Sequence, residues 1–251
     1  MNKRRRQRNK IASLYIWHRY AGLFAAIFAI FISISGIILN HTDDLDLKKR
    51  HLSISALIEQ YQVQNPSLVS RFKSQPYRIE QADDMLFIGN SNMLHIDVPL
   101  IGVAQHGEFL VVALQNSLLL FNANEQLLET LTRLDDVPSH ISHIGINQQQ
   151  QLVLLSKAQH YRLNNDLSLQ LVAPDSHVNW SQAEALSAAD QATIKHRYRS
   201  NIISLETLLL DIHSGRFFGA YGPLIFDLIG LIILFLAVTG CIIWLKQRPK
   251  K

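Results

Sequence analysis

Residues 20–39 read YAGLFAAIFAIFISISGIIL, twenty consecutive positions without a charge. Coiled as an α-helix they cover about 30 Å, the thickness of a bilayer's hydrocarbon core. Residues 223–245, PLIFDLIGLIILFLAVTGCIIWL, form a second such stretch whose one charge is Asp227. The core helix of a soluble protein keeps a polar face over such a length, and neither stretch has one. Both therefore read as transmembrane helices. Tyr15, Trp17 and Tyr20 precede the first, Phe217, Phe218 and Tyr221 precede the second, and Trp244 closes it. Aromatic rings belong at those positions, where an interfacial belt holds them. Ser33 and Ser35 would offer a small-x-small cleavage site after a basic start, but the apolar run continues through Ile37, Ile38 and Leu39, longer than an ordinary signal-peptide core.

Working outward, the charges fix an orientation. The chain has 251 residues, 48% hydrophobic and 18% charged, with a mean hydropathy of +0.07, which excludes disordered and collagen-like classes. Its single cysteine, Cys241, excludes a disulfide framework or a multi-cysteine metal site built from this chain alone. The formal net charge of +4 comes from the ends: Lys3, Arg4, Arg5, Arg6, Arg8 and Lys10 before the first span, and Lys246, Arg248, Lys250 and Lys251 after the second. Residues 42–218 carry 13 basic and 19 acidic side chains, so the basic balance does not predict a nucleic-acid partner. Positive residues flanking a span stay in the cytoplasm, which puts both termini there and the acidic middle in the periplasm. The expected layout is a basic tail (1–15), a span (16–40), a periplasmic domain (41–218), a span (219–245) and a basic tail (246–251), set in the inner membrane and solvated by the lipid bilayer.

The middle segment is mainly β. Residues 53–63 have a 3, 4, 7 apolar spacing at Ile54, Leu57, Ile58 and Tyr61, which predicts a short helix. From 77 to 172 short apolar runs such as FLVVAL, SLLLF and QLVLL alternate with Asn, Asp, Gly and Gln, the texture of an antiparallel meander. LVVALQNSLLLFNANEQ from Leu110 aligns without gaps on LVLLSKAQHYRLNNDLS from Leu152, an offset of 42 residues, the length of a propeller blade. Fewer than three units cannot close a ring, so the expectation is an open twisted sheet or small sandwich that is blade-like only locally. Residues 180–213 return to helical spacing, at Trp180, Ala183, Leu186 and Ala189 and then at Leu205, Leu208, Leu209 and Ile212. No nucleophile elbow, phosphate loop or HExxH run occurs. His95, His106, His140, His143 and His160 are scattered over the meander, and only His140 and His143 are close enough in sequence to share a metal. The fold class is thus two transmembrane helices flanking an extracytoplasmic antiparallel β domain with short helices.

The segments flanking the membrane carry a resemblance. WHRYAGLFAAIFAIFISISGIILNH (17–41) and LLLDIHSGRFFGAYGPLIFDLIGLIILFLAVTGCIIWLKQR (208–248) resemble the PepSY-associated transmembrane helix family. The residues that match are the His18–Arg19 pair opening the first span, the D-x-H-S-G-R-x-F-G run from Asp211 to Gly219, which includes Arg216, and the T-G-x-x-x-W exit from Thr239 to Trp244. The resemblance implies an inner-membrane protein of the iron-regulated, ferric-reductase-like group. Some larger members of that group carry electrons across the membrane through histidine-held haem, but they have about four spans against the two here.

Histidine spacing bears on that implication. His18 and His41 lie about 34 Å apart along a helix and cannot hold one haem. His213 falls on the same side of the membrane as His41, so a b-type haem between His41 and His213 is geometrically open, whereas His18 would need a partner from a second copy. The alternative makes His18 and His41 interfacial anchors and His213 a helix cap. Gly22, Ala25, Ala29, Ser33 and Gly36 follow a small-residue spacing that would let another helix approach, which points to a homo-oligomer or a larger membrane complex. Gly230 and Ala237 stand seven apart on the second span, near the intramembrane carboxylate Asp227. Two functions remain open: a non-enzymatic anchor for a periplasmic binding domain, and a haem-binding electron-transfer component.

Overall fold

The computed structural model describes residues 3–89 and 92–247, and the chain divides into a helical unit (1–58 and 201–251) and a β unit (59–200). In the helical unit, α1 (Lys3–Asn40) and α5 (Gly222–Gln247) run antiparallel. Their segments Tyr15–Asn40 and Gly222–Leu245 are long and apolar enough to cross a membrane. The seam repeats every three or four residues: Ala25 and Ser35 are buried on α1, as are Ile229 and Thr239 on α5. That 3.5-residue period is what keeps two helices facing each other over several turns. The outward faces are apolar too, with Leu23, Ile27, Ile30 and Ile34 on α1 and Leu224, Leu231 and Leu234 on α5 all exposed. Such an arrangement suits a hydrocarbon solvent and not water.

The chain between the spans is tied down near the helices. The amide of Leu52 donates to Ile203 O at 2.9 Å, that of Leu205 to Arg50 O at 2.7 Å, and His51 bridges Ser204. This ladder delivers the chain to α4 (Leu205–Ser214), whose N-cap Ser204 accepts from the amide of Thr207. Gly215, at φ +82°, ends α4, and an added Cβ there would strike Phe226 and Gly222. Only glycine permits that turn between α4 and α5. The short helix α2 (Ser55–Gln60) lies at the join of the two units, two to three residues shorter at each end than the sequence spacing suggests.

Among its described residues the β unit holds three four-stranded antiparallel meanders. They are β1 (Val69–Ser74) to β4 (Asn92–His95), β5 (Leu100–His106) to β8 (Leu127–Leu131), and β9 (Ile141–Ile146) to β12 (Leu169–Val172). Between them lie β2 (Tyr77–Ala82) and β3 (Met85–Ile88), β6 (Phe109–Leu114) and β7 (Leu118–Phe121), and β10 (Leu152–Ser156) and β11 (Gln159–Leu163). The 42-residue repeat is β6–β7 matched to β10–β11. A third meander, 69–95, precedes the two it aligns, so the blade-like unit occurs three times and begins at Val69, earlier than residue 77.

The middle sheet is covered on both faces. Leu110, Val112, Leu119 and Phe121 pack toward the first sheet, whereas Val111, Ala113, Leu118 and Leu120 pack toward the third. Burial on both faces explains why FLVVAL and LLLF are continuous apolar runs without the alternation of a half-buried strand. Three turns use one device. Asn122, Asn147 and Asn164 open them, Gln126, Gln151 and Ser168 close them by backbone pairing, and the residue before each closer takes positive φ (Glu125, Gln150, Leu167). The side-chain oxygens of Asn122 and Asn147 each accept two backbone amides inside the turn, which holds it closed.

Two elements complete the unit. α3 (Ala188–Arg199) lies on the first sheet, with Ile194 buried beside Ala82, Met85 and Phe87. Buried Arg71 on β1 bonds Glu80 on β2 and Asp190 on α3, both at 2.8 Å. Arg197 of α3 donates to Gly89 O at 2.8 Å and stands over the Phe87 ring. The second element is the strand β13 (Asn179–Trp180) and the residues after it, which the spacing of Trp180, Ala183, Leu186 and Ala189 had suggested as helix. The helix begins only at Ala188, where Ser187 caps it by accepting from the Asp190 amide. Before that cap, backbone groups of 179–184 and the Ser181 hydroxyl satisfy the open edges of the first strands instead. β13 pairs with β9, Ser181 N donates to Ile144 O at 2.8 Å, Val103 N on β5 donates to Ser181 Oγ at 3.0 Å, and Glu184 N donates to Arg71 O on β1 at 2.8 Å. One short segment thus crosses the first strand of all three sheets.

Candidate functional site

The sequence pattern places histidines at both ends of the helix pair, and the structure gives two of them the same surroundings. His213, at the end of α4, points its Nδ1 at Ser35 Oγ, 2.8 Å away, and its Cε1 lies 3.6 Å from where a Cβ on Gly36 would be. His18, on α1, points its Nδ1 at Thr239 Oγ1, 3.0 Å away, and its Cε1 lies 3.6 Å from a Cβ built on Gly240. Each imidazole therefore rests on a hydroxyl–glycine dipeptide of a facing helix, Ser35–Gly36 at the loop end and Thr239–Gly240 at the tail end.

The hydroxyls are already engaged as donors. Ser35 Oγ lies 2.9 Å from Phe31 O and 3.1 Å from Ile32 O, and Thr239 Oγ1 lies 2.8 Å from Phe235 O and 3.1 Å from Leu236 O. With its one proton directed to its own helix, each oxygen accepts from the histidine. In that arrangement of protons Nδ1 is the donor and the lone pair falls on Nε2; with the hydroxyl turned to the ring the roles exchange. An outer hydrogen bond of that kind is what sets tautomer and ring orientation in a histidine that ligates a metal.

The remaining residues singled out from sequence lie elsewhere. His41 is exposed, and its Nδ1 is 2.9 Å from Asp44 Oδ2 on the loop after α1; His213 is bonded to Ser35, so neither hydrogen bond joins the two histidines. Arg216 pairs with Asp211 at 2.8 Å, closing the turn between α4 and α5. Asp227 lies on the exposed side of α5, away from Ser35. Gly22, Ala25, Ala29 and Gly36 are wholly or partly covered, but Ser33 is exposed. Gly230 and Ala237 are also exposed, on the side of α5 away from α1.

In the β unit, His140 bonds Gln115 at 2.9 Å, His95 lies 3.3 Å from Asp84, and His143 and His160 flank the Trp180 ring at 5.7 and 5.8 Å. His143 and His160 stand in one row across β9, β10 and β11, on either side of Leu155. Among the described residues no three His, Cys, Asp or Glu side chains converge as a metal site would require. Electrostatics are sharpest at α3. Asp190 is held at about 2, first by the Ser187 hydroxyl and then by Arg71, while burial lowers Arg197.

Ser35 and Thr239 as histidine partners were not evident from spacing alone. The available signal was that each is a hydroxyl followed by glycine on an otherwise apolar helix. A family model described as the PepSY-associated TM region matches residues 1–247. No curated protein and no solved structure matches the chain.

Proposed function

We propose, for a chain that belongs to the PepSY-associated TM family and spans the membrane twice, that it anchors a binding domain in the periplasm as a non-enzymatic accessory component, in keeping with a role in iron uptake. The basic tails support cytoplasmic termini and an inner-membrane location. The observation that carries the binding role is the contrast between the two edges of the sheets. Residues 179–184 seal the first strands, but among the described residues the last strand of the second sheet, β8, has no partner on its outer edge, and Leu127 and Leu128 are in solvent. Leu134, just beyond it, is 95% exposed, and Leu171 on the edge strand β12 is exposed too. An unpaired edge with apolar side chains is what a partner strand or apolar segment adds to. Photo-crosslinking residues at Leu128, Leu134 and Leu171 should yield discrete adducts in cells. Well-expressed protein with no adduct at any of the three would reject the reading. Reporter fusions after residue 100 and after Lys251 test the orientation, with a periplasmic reporter active only at the first.

A second reading, haem binding, is favoured by the two Nδ1–hydroxyl bonds. The donor set fits one axial imidazole at each end of the helix pair, from His213 and His18, with His41 available at the loop end. When bound, a b-type haem supplies one-electron transfer. The chain's own contribution is to hold each ring in one orientation with Nε2 unencumbered and to exclude water along the apolar seam. Protein made with ample haem should then show a Soret band that His213→Ala diminishes and His160→Ala does not. Colourless wild-type protein would leave the anchor role alone.

A further inference from the structure

The antiparallel register of α1 and α5 fixes the depth of Asp227. His18 sits opposite Thr239 and Phe31 opposite Phe226, so Asp227 is level with Ile30. Ile30 is ten residues from Tyr20 and nine from Leu39, the middle of the uncharged run of α1. At 1.5 Å per residue the carboxyl group is about 14 to 15 Å from the ends of that run and, along α5 itself, about 9 Å inward of Tyr221 at the interface, which places it inside the hydrocarbon on the loop side. It is also turned outward. Asp227 is exposed, and Leu224, Leu231, Leu234 and Val238, which share its face on a helical wheel, are each more than half exposed. Nothing lies within 4 Å of a Cβ built on Gly230, one turn away. No hydrogen bond or ion pair involves Asp227 among the described residues, and the hydroxyl at Ser35 is occupied by His213. An isolated carboxyl group facing lipid at this depth is unfavourable, and a hydrogen-bonding partner at the same depth relieves it.

We propose that this face of α5 meets the same face of a second copy of the chain, with one protonated Asp227 carboxyl group donating its O–H to the other across a two-fold axis along the membrane normal. Copies inserted in one orientation place Asp227 at identical depth, so an isologous contact matches the two groups without any further residue. Gly230 provides the close approach of the two backbones, and the leucines on either side exclude lipid from the carboxyl pair. The contact uses the face of α5 opposite the α1 seam, so each helix pair stays intact and the pair of chains forms a four-helix assembly. The surface lies on α5 and not on the small-residue stripe of α1, and the proposal depends on neither the binding-domain reading nor the haem reading.

The experiment uses full-length protein in native membranes. Leu234→Cys in a Cys241→Ser background is oxidised with copper phenanthroline, beside Ile27→Cys, which is exposed on α1. The expected result is a disulfide dimer from position 234 and little from position 27. Adding Asp227→Leu, a change that favours membrane insertion, should cut the 234 cross-link roughly three- to thirtyfold, the range set by one interhelical hydrogen bond. Asp227→Asn, which can still bond across the axis, should retain it. Equal cross-linking at 234 and 27, or an undiminished dimer in Asp227→Leu, would overturn the proposal. So would a cross-link from position 234 to a different protein, which would assign the face to a hetero-partner.

Discussion

Replacing Gly145 by alanine should dislodge the segment that crosses the three sheets. A Cβ there would lie 2.5 Å from Asn179 O and 2.8 Å from Val178 Cγ1. The nearer atom is backbone, so no side-chain rotation relieves the clash, and either β9 or residues 178–181 must move. The bonds at risk are the β13–β9 pairing, Ser181 N to Ile144 O and Val103 N to Ser181 Oγ. Losing two of them costs about 2 kcal/mol, and residual overpacking adds about 1 kcal/mol. For a unit of roughly 140 residues the unfolding entropy near the midpoint is about 0.3 kcal/mol/K, so ~3 kcal/mol lowers Tm by about 10 °C. Gly107→Ala is the matched control: it has φ +58° and nothing within 4 Å, so its cost is the left-handed backbone alone, about 1 kcal/mol and about 3 °C. Thermal melts of the full chain in detergent, followed by the β signal in circular dichroism, separate the two. Hydrogen exchange at Val103 and Ser181 should also accelerate in Gly145→Ala and not in Gly107→Ala. Equal melting of the two variants would refute the role given to residues 179–184.

Three further outcomes are expected. Asp190, held at about 2 against an ordinary 3.8, stabilises α3 on the first sheet above pH ~4 and loses that contribution as pH falls toward 2, so acid titration should release α3 in that window, at higher pH in Ser187→Ala. Thr239→Val should lower the stability of the helix pair by about 1 kcal/mol, and combining it with His18→Ala should add little, because both remove one hydrogen bond; full additivity in detergent unfolding would show the bond contributes nothing. Ala25→Leu, on the buried seam, should destabilise the pair by about 1–3 kcal/mol while Ala26→Leu, one residue round on the exposed side, stays within 0.5 kcal/mol, and equal effects would misplace the seam.

The spans were legible because hydrocarbon tolerates few alternatives: twenty uncharged residues have little choice but to become a helix. The second and third meanders were legible because their paired strands kept similar apolar runs at one spacing. In the first meander β3 and β4 showed as the apolar runs MLFI and NMLH, but β1 did not, since Arg71 and Lys73, with Glu80 and Arg78 opposite them on β2, mask a strand. Burial of Arg71 and Glu80 is possible only because α3 supplies Asp190 and Arg197, residues 110 or more positions later. Local pattern cannot announce a partner at that distance. Trp180, Ala183, Leu186 and Ala189 misled for a related reason. Their spacing fits a helix face, but the unpaired edges of β9 and β1 bind the backbone of 179–184 irrespective of side-chain period.

The helix seam shows the same limit on a finer scale. Small residues at Gly22, Ala25, Ala29, Ser33 and Gly36 read as one stripe, but the two successive four-residue steps from Ala25 to Ser33 each rotate about 40° past a full turn. On the 3.5-residue period of the seam those two steps bring Ser33 about 100° round from Ala25, where it is exposed, while Ser35 lies about 50° to the other side and takes the buried place. A helix pair held by a 3.5-residue period selects Ser35 and Thr239, and a hydroxyl buried on such a seam must find an acceptor or donor. It finds the carbonyl of its own preceding turn and the imidazole of the facing segment, with glycine as the next residue leaving room for the ring. Two of the three histidines considered as candidate ligands, His18 and His213, are thus fixed by the packing around the spans. His41, one turn past the covered part of α1, has no such support and turns to Asp44 in solvent.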